Sequence, residues 1–312
     1  MIDALVRGVQ LRKIFESGLV SKRRIVAVEG VDIEIKSGET LALVGESGSG
    51  KSTLGRLLLL LEKPTSGEVY FDGKNLTEMK PKDVRIIRQK MQLIPQHPEG
   101  SLDPRWKIYD SIAEPLRIHR LTGRNEEREV VYRLIDTVGL QEEHLSRHPH
   151  ELSGGELQRA VIARAIALNP KFIVCDEPTS MLDVSVQASI IKLLMELQQK
   201  LELSYLFITH DLEVANAVAH RMAVMYAGQI VEEGRRILDE PLHPYTRMLV
   251  ESLNTNTAST EFGRDVGAEK VEKTGCKFYH LCPERTKKCL KSPEMIRVNG
   301  RKVKCHLYNE KS

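Results

Sequence analysis

The run Gly45-Glu46-Ser47-Gly48-Ser49-Gly50-Lys51-Ser52-Thr53 carries the pattern G-x-x-x-x-G-K-[ST]. Its glycines let the backbone turn tightly, so that successive N–H groups converge on phosphate oxygens at a helix N-terminus, where the dipole favours anions. Lys51 supplies a mobile cation for the β- and γ-phosphates, and the Ser52 hydroxyl is placed to ligate Mg²⁺. A glycine-rich turn with a chance lysine would lack the context seen here. The apolar run Leu41-Ala42-Leu43-Val44 precedes the loop as a strand, and Leu54-Gly55-Arg56-Leu57-Leu58-Leu59 follows as a helix. The implied ligand is a nucleoside triphosphate.

Three further groups of residues have chemistry to offer. Leu152-Ser153-Gly154-Gly155-Glu156-Leu157-Gln158 holds a second anion-competent loop ahead of a helix that Asn169-Pro170 stops. Ser-Gly-Gly alone is an ordinary helix cap; beside a first phosphate loop it gains a purpose. The second group is Phe172-Ile173-Val174-Cys175-Asp176-Glu177-Pro178, which reads as a buried parallel strand. It delivers adjacent carboxylates at its C-terminal end, where ligands bind in open α/β sheets. Neighbouring residues point to opposite sides, so Asp176 is expected to hold Mg²⁺ through water and Glu177 to orient the attacking water. The third group ends another apolar strand, Tyr205-Leu206-Phe207-Ile208-Thr209, with His210 at the matching position to reach the γ-phosphate or that water.

The elements that must position these groups are legible in outline. Residues 1–40 read as β-rich, with alternation over Val31-Asp32-Ile33-Glu34-Ile35 ending at the turn Ser37-Gly38. Phe15, the only aromatic residue ahead of the phosphate loop, is either a stacking platform for a base or a strand aromatic packed in a small sheet. A strand from Gly67 enters a hairpin turn at Asp72-Gly73, and Met91-Gln92-Leu93-Ile94-Pro95-Gln96 is an apolar strand ending in a glutamine. From His97 to about Pro149 the chain turns loop-like, then helical and highly charged, with residues 125–140 the most helix-like part.

Composition narrows the classes. The 312 residues allow one large domain, or one domain plus an appendage, and a 41% hydrophobic share suffices for a core. Lys and Arg total 46 against 43 Asp and Glu, a balance without the global signature of nucleic-acid binding. Charges interrupt Met1 to Lys13, so no signal peptide is expected. The aliphatic run Leu57–Leu61 is far below the roughly 18 residues that span a bilayer. The expectation is a soluble, cytosolic chain whose membrane role, if any, comes through a partner.

Taken together, the motifs resemble the nucleotide-binding subunits of ATP-binding-cassette transporters over about residues 5 to 250. Gly45 to Ser52 resemble the Walker A loop, Gln96 the Q-loop glutamine, and Leu152 to Gln158 the family signature. Asp176 and Glu177 resemble the Walker B pair, Ser180 to Asp183 the D-loop, and His210 the switch histidine. The resemblance implies an α/β P-loop NTPase fold with a RecA-like core and an N-terminal antiparallel β-subdomain. It also implies an inserted helical subdomain at about residues 97–165 and a small Cys-rich C-terminal extension. The ATPase domain would span residues 1–253, and a linker with the Cys-rich tail residues 254–312. It implies ATP with Mg²⁺ on Ser52, Gln96 and Asp176, and catalytic roles for Glu177, His210, Lys51 and Gln96. ATP would lie between Walker A of one subunit and Ser153, Gly154, Gly155, Glu156 and Gln158 of another, with Asp183 beside it.

Finer motifs resemble the peptide and nickel importer branch: Gln96-His97-Pro98 leading to Ser101-Leu102-Asp103-Pro104-Arg105, then Asp183-Val184-Ser185-Val186-Gln187, and His243-Pro244-Tyr245-Thr246-Arg247. That branch implies pairing with a sister ATPase or with itself, two membrane-spanning permease subunits, an extracytoplasmic solute-binding protein, and a place at the cytoplasmic face of the membrane. Dipeptides, oligopeptides, nickel and oligosaccharides all remain open as solutes. Pro95 stands where an aromatic residue is frequent, Glu156 where a glutamine is, and Met181 where a small D-loop residue is; none removes a catalytic group. A soluble cassette ATPase of translation or DNA repair is the alternative, but such proteins tend to carry two cassettes or a long coiled-coil insertion. A phosphotransferase would have no use for the signature loop.

Beyond a polar linker, cysteines fall as C-x₅-C-x₆-C-x₁₅-C at Cys276, Cys282, Cys289 and Cys305. Four thiolates in so short a segment suit an iron–sulfur cluster or tetrahedral zinc, with free thiols or disulfides as the other possibilities. The family's comparable tail is associated with a [4Fe–4S] cluster, which makes that the expected occupant. Cys175, in the buried strand, is expected to be core.

Overall fold

The computed structural model describes residues 4–17, 23–254 and 275–308. Of the expected linker at residues 254–270, Asn254 ends a helix and residues 255–270 lie outside the described residues. Two long antiparallel strands, β1 (Ala4–Ser17) and β2 (Arg23–Lys36), open the chain. The core strand β3 (Thr40–Val44) follows, and the phosphate loop connects it to α1 (Lys51–Leu58). Next come β4 (Ser66–Phe71) and β5 (Lys74–Asn75), joined at Asp72-Gly73, both with positive φ (49° and 75°) as a two-residue hairpin of the I′ kind requires. These outer strands form a separate sheet in the order β2-β1-β4-β5.

Helix α2 (Pro81–Ile87) leads to β6 (Met91–Ile94). Between β6 and β7 (Phe172–Asp176) run three helices: α3 (Ile108–Ile118), α4 (Arg124–Val138) and α5 (Gly154–Ile166). Gly139 ends α4 in the left-handed conformation, and Ser153 caps α5 through Glu156, so the boundaries follow ordinary capping chemistry. The remaining elements are α6 (Val184–Lys200), β8 (Ser204–Thr209), α7 (Leu212–Val218), β9 (Arg221–Tyr226), β10 (Gln229–Gly234) and α8 (Pro244–Asn254). Two short strands, β11 (Ile296–Val298) and β12 (Arg301–Val303), complete the main sheet.

That sheet has the order β11-β12-β10-β9-β3-β8-β7-β6. Strands β9, β3, β8, β7 and β6 are mutually parallel, and β10, β12 and β11 extend the sheet by antiparallel pairing. The parallel strands β3, β7 and β8 are buried along their whole length, which explains their unbroken apolar runs. Two large apolar clusters cover the faces. One packs α1 and the outer antiparallel sheet onto Leu41, Leu43, Val174, Leu206 and Ile208. The other packs α3, α4, α5 and α6 onto Ile173, Cys175, Tyr205 and Phe207. The charged helices therefore share a core with the sheet instead of burying their apolar stripes only among themselves.

Two features differ from the sequence reading. The β9–β10 hairpin, turned at Ala227-Gly228 with φ of 44° and 83°, has no clear signature in the sequence. The tail attaches as strands: Glu232 and Glu233 of β10 lie opposite Val303 and Lys302 of β12. Charged residues on both strands, Glu232-Glu233 and Arg301-Lys302, mask the alternation that would have marked them.

Candidate functional site

Parallel register decides where the site lies. Val44 is level with Thr209, Ile208 with Asp176, and Cys175 with Ile94. The phosphate loop, Asp176-Glu177, His210 and Gln96 therefore all emerge at the carboxyl edge of one sheet, where such folds bind ligands.

The phosphate loop owes its shape to two close approaches. Gly45 has φ +149°, and a Cβ there would sit 2.1 Å from the Met225 carbonyl oxygen. Gly50 has φ +105°, and a Cβ there would sit 2.2 Å from the Ala27 carbonyl oxygen. Gly50 is also the N-cap of α1 and offers no side chain to the first amides, which leaves them for an anion. Within the loop, the Ser49 hydroxyl is buried without a hydrogen-bond partner among the described residues. Glu46, Ser47, Gly48 and Thr53 complete the loop and the first turn as expected. Lys51 is only 4% exposed and donates to the Gly45 and Glu46 carbonyls at 2.7 and 2.9 Å. Burial pushes its ammonium down from the usual lysine range, opposed by Glu177, Asp176 and Glu46. Burial likewise raises the Glu46 carboxyl against the pull of Lys51.

Beside the loop, the Ser52 hydroxyl donates to Asp176 Oδ1 at 2.7 Å. Burial pushes the Asp176 carboxyl up, and the Ser52 hydrogen bond, Arg56 and Lys51 oppose that push. A hydroxyl and a carboxylate converging in this way are hard oxygen donors of the kind Mg²⁺ takes, so the residues present fit the expected ion.

Glu177 has φ +45°, which a non-glycine residue rarely adopts. Its amide donates to the Ile208 carbonyl at 3.0 Å, and its own carbonyl accepts from the Ser180 amide and hydroxyl. The strained backbone is thus pinned from both sides, as strained functional residues must be. Its carboxylate accepts from Gln96 Nε2 at 2.9 Å and lies 3.3 Å from His210 Nδ1. Gln96 and His210, 81 and 33 positions away from Glu177 in the chain, thus meet on its one carboxylate.

The second loop is built differently. The Ser153 amide and hydroxyl both donate to Glu156 Oε2 at 2.8 Å, and the Glu156 amide donates back to Ser153 Oγ, a capping box. A Cβ on Gly154 or Gly155 would press on Leu182 or Val186. The loop therefore seats against the start of α6, where Asp183 caps through the Val186 amide and accepts from the Ser185 hydroxyl. Gln158 differs from its neighbours: it is 1% exposed, and its Nε2 is buried without a partner among the described residues. Phe15 pairs across from Ile25, is 39% exposed, and has the Lys13 ammonium 4.9 Å from its ring centroid. Ala27, two residues on from Ile25, is the residue that backs Gly50. The ring is therefore on the strand pair that borders the loop and is partly exposed.

The cysteine tail offers thiols without a formed metal cage. Cys276, Cys282, Cys289 and Cys305 are free thiols. Burial pushes the Cys305 thiol up to about 11, with Cys276, Cys282 and Cys289 adding to the rise. Cys276 is raised by burial and by Cys289 and Cys282, and Cys282 by burial and by Cys289. The four thiols are therefore within electrostatic reach of one another. Yet among the described residues no group of three or more His, Cys, Asp or Glu side chains is arranged to hold a metal ion. The donor set for a cluster is present; a formed cage is not. Cys175 is fully buried in β7, as expected of a core residue.

One contact had no signal in the sequence. The hydroxyl of Tyr245, at the start of α8, accepts from the Glu46 amide of the phosphate loop at 3.1 Å. The His243-Pro244-Tyr245-Thr246-Arg247 motif is visible in the sequence, but nothing in it indicates a reach of 199 residues.

Comparison with known proteins agrees with this geometry. The family described as ABC transporter matches residues 28–180, and that described as oligopeptide/dipeptide transporter, C-terminal region, matches residues 231–289. The chain is 44% identical to YkfD of Bacillus subtilis (strain 168), over 96% of this chain and 94% of the relative. It is 39% identical to the dipeptide transport ATP-binding protein DppF of Escherichia coli (strain K12), over 96% and 93%. A solved dimeric structure of the ATP-binding cassette MJ0796, in a post-hydrolysis state bound to ADP and Pi, matches with a TM-score of 0.67 and 31% identity. It covers 73% of this chain and 97% of that one.

The close approach at Gly50 gives a direct test of the loop. Gly50→Ala places a methyl on the Ala27 carbonyl and a side chain in a left-handed conformation, and is expected to weaken nucleotide binding by about tenfold or more. Titration with a fluorescent ATP analogue measures it, and wild-type affinity would show that the loop does not depend on that contact.

Proposed function

Because the chain belongs to the ATP-binding-cassette transporter family, in its oligopeptide/dipeptide branch, we propose that it is the ATP-hydrolysing subunit of an importer for dipeptides or oligopeptides. The observation that carries the hydrolytic reading is the Glu177 carboxylate, held by Gln96 and beside His210, at the same sheet edge as the phosphate loop. The α1 amides and Lys51 bind the β- and γ-phosphates. Ser52, Asp176 and Gln96 are the residues that would hold Mg²⁺, which when bound offsets negative charge on the phosphate oxygens. Glu177 orients a water for attack on the γ-phosphorus and takes up its proton, and His210 lies near enough to that carboxylate to hold the same water or a γ-oxygen. Phe15 stacks on the adenine.

The second loop serves another copy. Ser153, Gly154, Gly155 and Glu156 would face the γ-phosphate bound by a partner subunit, with Gln158 buttressing the loop from below and Asp183 at the seam. That reading is supported by the dimeric cassette among the structural relatives and by a second anion loop built on a different element from the first. The partner is a sister ATPase or a second copy of this chain. No helix among the described residues is long and apolar enough to cross a membrane, so the solute path belongs to two permease subunits fed by a solute-binding protein. The chain would sit at the cytoplasmic face, with the helical segment at about residues 97–165 as the part that meets the permeases.

The tail's four cysteines, free and within electrostatic reach of one another, are proposed to take up a [4Fe–4S] cluster that closes them into a cage. Its role would be structural, stapling the tail to the sheet.

Glu177→Gln is expected to slow turnover by about 10²–10⁴-fold while ATP binding and ATP-dependent dimerisation persist; wild-type turnover in the variant would remove Glu177 from its role. Affinity capture of the tagged chain from gently solubilised membranes should recover two multispanning subunits and a sister ATPase or solute-binding protein. Ribosomal or DNA-repair partners instead would overturn the transport reading. Protein purified without oxygen should be brown, with iron and acid-labile sulfide in equal amounts, and colourless, iron-free protein from that preparation would exclude the cluster.

A further inference from the structure

The Gly45–Glu46 peptide is gripped from both of its polar ends. Its carbonyl accepts from Lys51 Nζ at 2.7 Å, and its N–H donates to the Tyr245 hydroxyl at 3.1 Å. A peptide unit is planar, so fixing the N–H direction fixes the direction of the carbonyl. That carbonyl is one of two that hold the Lys51 ammonium in place. Tyr245 is 1% exposed, and its contact with the phosphate loop is the hydrogen bond to this peptide.

Tyr245 is in turn held by the Cys-rich tail. The Phe278 ring, buried between Cys276 and Cys282 in sequence, lies 5.5 Å from the Tyr245 ring and 5.3 Å from that of Tyr226. Tyr226 itself lies 4.6 Å from Tyr245 and follows Met225, whose carbonyl backs Gly45. On the other side of the segment, the Tyr245 amide donates to His243 Nδ1 at 3.0 Å. Burial holds the His243 imidazole down to about 4, so it stays neutral and able to accept. The amides of Leu242 and His243 donate to the buried Glu232 carboxylate, which faces Arg301 of β12 at 3.9 Å. Arg247 donates to the Tyr308 hydroxyl, which donates to the Leu242 carbonyl at 2.9 Å, and Arg247 also pairs with Glu284. Four tail residues thus clasp the segment that carries Tyr245.

We propose that Tyr245 is a positioning residue for Lys51, and that the Cys-rich tail sets nucleotide affinity by holding Tyr245 against the phosphate loop. Disturbing the tail, by losing whatever its cysteines bind or by oxidising them, then loosens the grip on the β- and γ-phosphates without touching a catalytic group. The proposal rests on nucleotide binding at the phosphate loop, and a wild-type titration in the same experiment tests that separately.

The experiment is a set of nucleotide affinities measured by fluorescent ATP-analogue titration on the full-length chain. Tyr245→Phe keeps the ring and removes only the hydroxyl, and is expected to weaken binding about five- to tenfold. In a Lys51→Ala background the same change should have no further effect, since there is no ammonium left to position. A purely structural role would add the same factor in both backgrounds, and that result overturns the proposal, as does unchanged affinity in Tyr245→Phe. Phe278→Leu should weaken binding about two- to fivefold in the wild type and make little difference in Tyr245→Phe. Tyr308→Phe loosens the same segment from its exposed side if Phe278→Leu does not fold. Wild-type affinity in a folded tail variant overturns the tail's part. A wild-type chain that fails to bind the analogue would instead count against the ATPase reading.

Discussion

Parallel pairing of β3, β8, β7 and β6 obliges four separate stretches of chain to leave the sheet at one edge, and each carries charge or a hydrogen-bonding group as it leaves. Buried strands bring low dielectric with them, so the groups at their ends cannot ignore one another. Lys51, Asp176 and Glu177 stay within electrostatic reach, and burial shifts Lys51 and Asp176 toward their neutral forms while the opposite charges resist. A site so arranged is under tension before any ligand arrives. An anionic phosphate would give Lys51 a stronger partner than two carbonyls, and a divalent ion would give Ser52 and Asp176 a stronger partner than each other.

The same edge explains why the site is half of one. Loop and carboxylates belong to the sheet, whereas Ser153 to Glu156 belong to a helix seated against α6, with the Ser153 and Glu156 amides in a capping box and the glycines facing Leu182 and Val186. A nucleotide bridging one half to the other half of a partner converts phosphate charge into association, and loss of the γ-phosphate removes the bridge. Hydrolysis thereby becomes movement without any moving part inside the sheet.

The tail belongs to this economy as well. It contributes β12 to the main sheet and Phe278 to the aromatic group behind the phosphate loop, so it is continuous with the core that positions the site. Its short apolar content would leave it unable to fold alone; docking on β10 and on the Tyr226–Tyr245 pair supplies the missing surface.

Local chemistry made much of this visible in the amino-acid sequence. Glycines at Gly45 and Gly50, the Lys51-Ser52 pair, apolar runs closing on Asp176-Glu177 and on His210, and the Ser153-Gly154-Gly155 loop are short-range patterns, each set by a few bonded neighbours. They determined the nucleotide ligand, the sheet class and the candidate residues. Contacts set by register and packing were another matter. That Gln96 and His210 share the Glu177 carboxylate, that Gln158 is buried, and that charged helices join the core of the sheet depend on how strands align. The β10–β12 pairing hid behind charged residues, and the Tyr245–Glu46 hydrogen bond spans 199 positions. Sequence spacing encodes which atoms a segment offers; only the folded chain, by closing long loops onto one sheet edge, decides which of them meet.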